Sequence, residues 1–267
     1  MSPESAAVTF VSFTFGTIVG SFLNVCIFRV PEGESVVFPG SHCRACRKAI
    51  AWYDNVPVLS WLVLGGRCRH CRARISAQYW VVELLTGGLF AACYRVFGLT
   101  PEGFIYLGLA LALVVESFID LRHQIIPDGI TLPGIAVGLA VSALWPPLHG
   151  RENWTGALAA SFIGVLAGGG LLWIIGSLGE KIFKREAMGG GDVKLLAMIG
   201  AFLGWEGVLW TVFAASVLGT VFGLYQRLRR GAEEIPFGPY LGLAAFVYPF
   251  FGRSVVEWYF GHLAGRH

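Results

Sequence analysis

Two aspartates and four cysteines are the residues of this chain whose type and spacing could do chemistry. Asp192 follows three glycines, Gly189-Gly190-Gly191, and precedes an apolar run from Val193 to Gly204. Glycines let the backbone turn tightly and approach another segment closely. The run reads as a helix with Asp192 near its N-cap, where a carboxylate is favourable. Asp120 ends an earlier apolar block, in Ser117-Phe118-Ile119-Asp120-Leu121-Arg122. A solvated helix end with Asp120 paired to Arg122 is the plain alternative. Two carboxylates that meet do not both ionise readily: one keeps its proton and the other is a base. Such a pair can deprotonate a water, and can protonate a peptide carbonyl and then the leaving amine. Coupled groups titrate as a pair, so the base is assigned to neither. Lys194 would favour an ionised Asp192 if it points inward, and Asp128, after Pro127, reads as a cap for the next helix.

The cysteines come as Cys43-x2-Cys46 and Cys68-x2-Cys71. Each pair can set two thiolates on one metal from a tight turn, and two such knuckles complete a tetrahedral zinc site. Four protein ligands leave no open position, so the metal would be structural. A segment with little core of its own gains from such a staple. Cys26 and Cys93 fall in apolar blocks and read as core thiols.

These residues must be positioned by membrane helices. The 267 residues are 55% hydrophobic and only 14% charged. A bilayer-spanning helix needs about 20 apolar residues. About eight candidate blocks follow from that length, at 6–28, 79–98, 102–120, 130–147, 154–177, 193–204, 208–226 and 238–260. Only 31–78 is sizeably polar. No Lys or Arg precedes Arg29, so the first block is not a cleavable signal peptide. Threading the blocks puts the bases from Arg44 to Arg74, Arg122, Lys181 to Arg185 and Arg227 to Arg230 on one side. Only Arg95, Arg151, Arg253 and Arg266 fall on the other. The positive-inside rule then sets the N-terminus outside and the cysteine segment in the cytoplasm. The net charge of +3 is a topology signal and does not point to nucleic acid. The basic residues among the cysteines also suit anionic lipid headgroups.

The block after Asp192 holds 12 residues and so spans ~18 Å, short of a ~30 Å hydrocarbon core. Its inner end therefore stops within the membrane, beside protein or a water-filled cavity. Asn24, in Gly20-Ser21-Phe22-Leu23-Asn24-Val25, and Glu83 and Glu116 are polar groups inside blocks; each is a ligand candidate or a partner in helix packing. Residues 178–188 read as a basic surface segment, and Pro236-Phe237-Gly238-Pro239 as a rigid helix start, with positioning of a lid or substrate as the alternative. No tandem repeat is evident. The acidic Asp54, Glu32 and Glu34 are candidates for binding a basic peptide.

The GxGD form at 189–192, the IDLR…IPD segment, the CxxC pair and the early GSFLN together resemble the type IV prepilin peptidase family. Phe38-Pro39, the run Pro57-Val58-Leu59-Ser60-Trp61, Val82-Glu83-Leu84-Leu85-Thr86-Gly87, Asp192-Val193-Lys194-Leu195 and Pro236-Phe237-Gly238-Pro239 extend the resemblance along nearly the whole chain. It implies an all-α polytopic membrane protein: one helix in 1–30, a small cytoplasmic zinc module in 31–78 and a membrane-embedded aspartic peptidase domain in 79–267. It implies an enzyme of the bacterial inner membrane that removes the short basic leader from type IV prepilins and type II secretion pseudopilins after a glycine, on the cytoplasmic side. The new N-terminal residue, usually Phe, is then N-methylated from S-adenosylmethionine. The catalytic aspartates map onto Asp120 and Asp192, with Gly189, Gly191, Lys194 and Asp128 in support. The metal ligands map onto Cys43, Cys46, Cys68 and Cys71. No glycine-rich Rossmann fingerprint marks a methyl-donor site; Asn24 and Glu83 are its candidates. The alternatives are a GxGD protease acting on other membrane helices without methyl transfer, and a zinc-bearing transporter or scaffold without enzymatic activity.

Overall fold

Nearly every apolar block becomes a helix in the computed structural model, which describes residues 3–184, 188–230 and 236–263. Among these residues there is no strand, only isolated bridges within the cysteine segment. The helices are α1 (Pro3–Arg29), α2 (Leu59–Val63), α3 (Gln78–Phe97), α4 (Pro101–His123), α5 (Asp128–Leu144), α6 (Trp154–Phe183), α7 (Gly190–Arg230), α8 (Gly238–Val247) and α9 (Arg253–Leu263). Among the described residues, five stretches are long and apolar enough to cross a membrane: Glu4–Arg29, Gln78–Phe97, Pro101–His123, Trp154–Ile182 and Gly190–Tyr225. The apolar α5 is shorter. Part of the expected surface segment 178–188 is instead the end of α6, which runs to Phe183; residues 185–187 and Arg266 lie outside the described residues.

The chain forms two compact units, Met1–Leu107 and Gly108–His267. In the first, α3 packs on α1 in antiparallel fashion through small residues. A β-carbon at Gly16 would lie 2.8 Å from the Cα of Gly87, and one at Gly20 would lie 2.8 Å from the Cα of Glu83. One turn further on, Asn24 Nδ2 donates to Tyr79 O at 3.0 Å. Close backbone approach supplies dispersion contact where lipid offers no hydrophobic drive.

In the second unit α6 and the first half of α7 cross at Gly164 and Gly200 and again at Gly168 and Leu196, so closely that no β-carbon fits at either glycine of α6. The expected break between the blocks 193–204 and 208–226 is present at Gly204, which takes φ 69° inside α7. Only glycine adopts that backbone readily. The chain folds back there: Val208 Cγ2 comes 3.0 Å from where a β-carbon of Gly200 would be. Ser161 Oγ donates to Ala201 O at 2.6 Å near this turn. Ser142 Oγ lies 2.9 Å from His149 Nε2 and 3.3 Å from the same carbonyl. These side chains occupy a backbone acceptor beside the broken helix. The Ser142–His149 contact is a packing element, since Ser142 is fully buried.

Candidate active site and cysteine centre

Asp120 stands in the last turn of α4 and Asp192 in the first turn of α7. Gly191, just before Asp192, and Gly238, which bonds Asp120, both pack on Ile126, so the two helix ends meet there. The elements between them explain the approach. The N–H of Gly238, first residue of α8, donates to Asp120 Oδ2 at 3.0 Å. A β-carbon at Gly238 would stand 3.4 Å from Ile126 Cδ1, and one at Gly191 would stand 2.9 Å from Ile126 Cβ. Ile126, from the loop after α4, thus wedges between the two glycines that flank the acids. Asp120 is 6% exposed, and Asp192 Oδ1 is buried with no partner among the described residues. A buried polar oxygen left open in this way calls for a water or substrate group. Glu116, one turn before Asp120, is also buried, and both its carboxyl oxygens lack a partner among the described residues.

Lys194 Nζ reaches Asp128 at 2.7 and 2.8 Å, so its ammonium is engaged across α5 and α7. Asp128 makes no side-chain cap; Pro127 holds the N-cap position of α5 and Asp128 sits in its first turn. Gly189 precedes α7 and Gly191 lies in its first turn, with Asp192 N donating to Gly189 O at 3.2 Å. Ile126 and Gly238 lie in the IPD segment and the run Pro236-Phe237-Gly238-Pro239, whose local sequence allows a rigid helix start or a substrate-positioning turn but does not show the contact with Asp120.

The four cysteines come together. All their Sγ atoms lie within 4.8 Å of one another, and those of Cys43 and Cys71 are 3.8 Å apart. Zn–S bonds of ~2.3 Å in a tetrahedron place sulfurs ~3.8 Å apart, so the donor set fits that ion. The two knuckles are the same structure twice. Arg47 N donates to Cys43 O and Arg72 N to Cys68 O, at 2.8 and 3.0 Å. Cys43 N donates to Lys48 O and Cys68 N to Ala73 O, both at 2.9 Å. Arg47 and Arg72 take φ 58° and 59°. In sequence, 42–50 and 67–75 share the pattern C-R-x-C-R-x-x-I. The amide of Cys71, then that of His70, draws the Cys68 thiol down to about 6. Cys26 is half-buried and Cys93 buried, each in its helix.

Of the methyl-donor candidates, Glu83 Oε2 accepts the N–H of Val58 at 2.7 Å. Asn24 keeps a buried Oδ1 with no partner among the described residues, as do Gln78 Nε2 and Trp80 Nε1. Of the acids proposed for peptide binding, Asp54 is held by Arg69 at 2.6 and 2.5 Å, and Glu32 lies 3.5 Å from Arg44.

Apolar helices carrying a carboxylate pair, with a four-thiol centre in the polar segment, define a helical membrane protein built like an aspartic peptidase. Residues 14–97 match the bacterial peptidase A24 N-terminal domain, and residues 104–224 match the type IV leader peptidase family. The chain belongs to that family. It is 36% identical over 269 residues to a prepilin leader peptidase/N-methyltransferase of Burkholderia pseudomallei, covering 90% of this chain and 84% of the relative. A protein of the same name from Pseudomonas putida is 33% identical over 282 residues, 96% of this chain and 94% of the relative. The one from Myxococcus xanthus is 45% identical over 219 residues, which is 82% of this chain but 63% of the relative's length. No solved structure gives a significant match.

Proposed function

We infer that this protein is a membrane aspartic endopeptidase that removes the leader of type IV prepilins and pseudopilins and then N-methylates the new N-terminus. The observation that carries the peptidase reading is the pair Asp120 and Asp192, on the end of α4 and the start of α7, which meet across Ile126 and Gly238. One carboxyl keeps the proton and the other takes one from water. The hydroxide attacks the scissile carbonyl after the leader's glycine while the acid protonates the carbonyl oxygen. Collapse of the tetrahedral adduct then returns a proton to the leaving amine. Gly238 fixes the orientation of Asp120, and Ile126 spaces the two acids. Gly189 and Gly191 let the backbone come close to a peptide. The Lys194–Asp128 pair ties α7 to α5 at the mouth of the site.

Cys43, Cys46, Cys68 and Cys71 hold a structural zinc; their mutual spacing supports it. S-adenosylmethionine, when bound, supplies the methyl group. Asn24 fits a contact to it through its open Oδ1, at the head of the α1–α3 seam, with Glu83 anchoring Val58 beside it. About eight spans are reached when α5, both halves of α7 and the α8–α9 segment are counted with the remaining long helices. The charge distribution favours a bacterial inner-membrane protein with the N-terminus outside and the cysteine module and acids facing the cytoplasm. The domain division 1–30, 31–78 and 79–267 is kept as a functional one.

The test is incubation of membranes holding this protein with a prepilin, with and without S-adenosylmethionine. Gel mobility reads the cleavage, and mass spectrometry of the mature N-terminus reads the methyl group. Uncut prepilin would reject the peptidase; a cut, unmethylated product in the presence of the donor would reject the methyl transfer alone.

A further inference from the structure

The short helix α2 is held against α3, a helix long and apolar enough to cross a membrane. Its entry residue, Val58, has φ 63°, a conformation costly for a β-branched side chain. Its N–H is fixed on Glu83, the sixth residue of α3, at 2.7 Å. Trp61 lies on Trp80 of the same helix with ring centroids 5.7 Å apart, and its Nε1 donates to Ile75 O at 3.3 Å. At 1.5 Å per residue, Glu83 stands only ~8 Å below the start of α3. The 20 residues of α3 match a ~30 Å hydrocarbon core in length. So α2 runs along α3 at the level where that core begins.

Trp61 is the side of α2 turned to the protein. The opposite side is apolar and open: Leu62 is 58% exposed and Val63 81%, with Leu59 beside them. Ser60 Oγ donates to Tyr53 O at 3.0 Å, which joins this strip to the turn Trp52–Asp54. Trp52 is 82% exposed there. From Asn55 to Gly66 there is no charged residue, and Arg67 follows immediately. Amphipathic aromatic rings, an aliphatic strip and arginines at its C-terminal end are the composition of a segment at the headgroup boundary.

We propose that α2 and the Trp52–Tyr53 turn form an interfacial foot, seated in the phospholipid leaflet beside α3. The occupant of the strip is lipid at the boundary between acyl chain and headgroup. Part of the polar segment is thereby a membrane-contacting element that fixes the cysteine centre against the bilayer. This holds whether or not the chain cleaves prepilin.

The test places the photoreactive p-benzoylphenylalanine at Val63, and separately at Leu62, in the full chain in native membranes. Variants are first checked for monodispersity after extraction. The same probe at Trp173, an exposed residue of α6, reports contact with acyl chains; at Arg72 it reports water. Irradiation and mass spectrometry should give phospholipid adducts at 62 and 63 in yield comparable to 173, and none at 72. Absence of lipid adducts at both positions, or adducts to prepilin or to another segment of this chain in their place, would overturn the proposal.

Discussion

Gly238 and Asp120 meet through a single backbone hydrogen bond, 3.0 Å from the amide to Oδ2, with no room for a β-carbon between them: one would sit 2.6 Å from that oxygen. The exchange Gly238→Ala keeps the amide but drives the carboxyl away. Misplacing a catalytic group by about 1 Å costs on the order of 100-fold. Cleavage by G238A should therefore fall about 100-fold in kcat, with KM little changed. Methylation of a peptide that already lacks its leader should persist. Gly242→Ala is the control, since its β-carbon would press on Ser117 Oγ at 2.7 Å and not on the carboxyl. Equal cleavage losses in the two variants would reduce Gly238 to a packing residue.

The Lys194–Asp128 ion pair is open to solvent, with side chains 40% and 55% exposed. Such pairs contribute ~0–1 kcal/mol. Lys194→Met or Asp128→Asn should thus lower cleavage less than about tenfold. High salt should shrink the difference from wild type. A loss as complete as that of an active-site aspartate, unaffected by salt, would show Lys194 acting on the catalytic acids directly.

His149 gives the folded chain a pH dependence of its own. Burial, reinforced by Arg151 and Arg253, pushes its imidazole from the usual 6.5 down to about 4. The native state then keeps it neutral while the unfolded chain takes up a proton. Its contribution is fully present above about pH 6.5 and is lost progressively as pH falls to about 4, amounting to about 3 kcal/mol at most. The thermal midpoint of His149→Asn should be flatter than wild type over that window. A wild-type midpoint constant between those limits would contradict the burial.

The cysteine centre should carry one equivalent of zinc by elemental analysis. Cys68→Ser should lose it and expose 31–78 to proteolysis, while Cys93→Ser should lose none. Acidification should release the metal, because protons compete with it for the four thiolates. Zinc unchanged in Cys68→Ser would remove the four-thiol site.

Much of this was legible in the residues. The CxxC spacing fixes a four-thiol cluster because each knuckle is local. The apolar lengths give the helices, and the break expected near Trp205 falls at Gly204, one residue away, because the polar Glu206 and the glycines around it mark the end of a run. What was not legible passes through space. Ile126 becomes a spacer only when α7 and α8 come against it, and Gly238 becomes a donor only when α4 ends beside α8. Lys194 had Asp192 as its near sequence neighbour, but helical geometry turned it to Asp128, 66 positions away. The role of Val58-Leu59-Ser60-Trp61 was likewise hidden, since its anchor Glu83 lies 25 residues on.

The convergence of Asp120 and Asp192 on one peptide bond is tested most directly by measuring prepilin cleavage for Asp120→Asn, Asp192→Asn and the double variant in membranes. Methylation of a pre-cleaved peptide serves as the folding control. Each single variant should abolish cleavage, the double should be no worse than either, and methylation should survive in all three. Normal cleavage by either single variant, at wild-type protein levels, would contradict a shared catalytic pair.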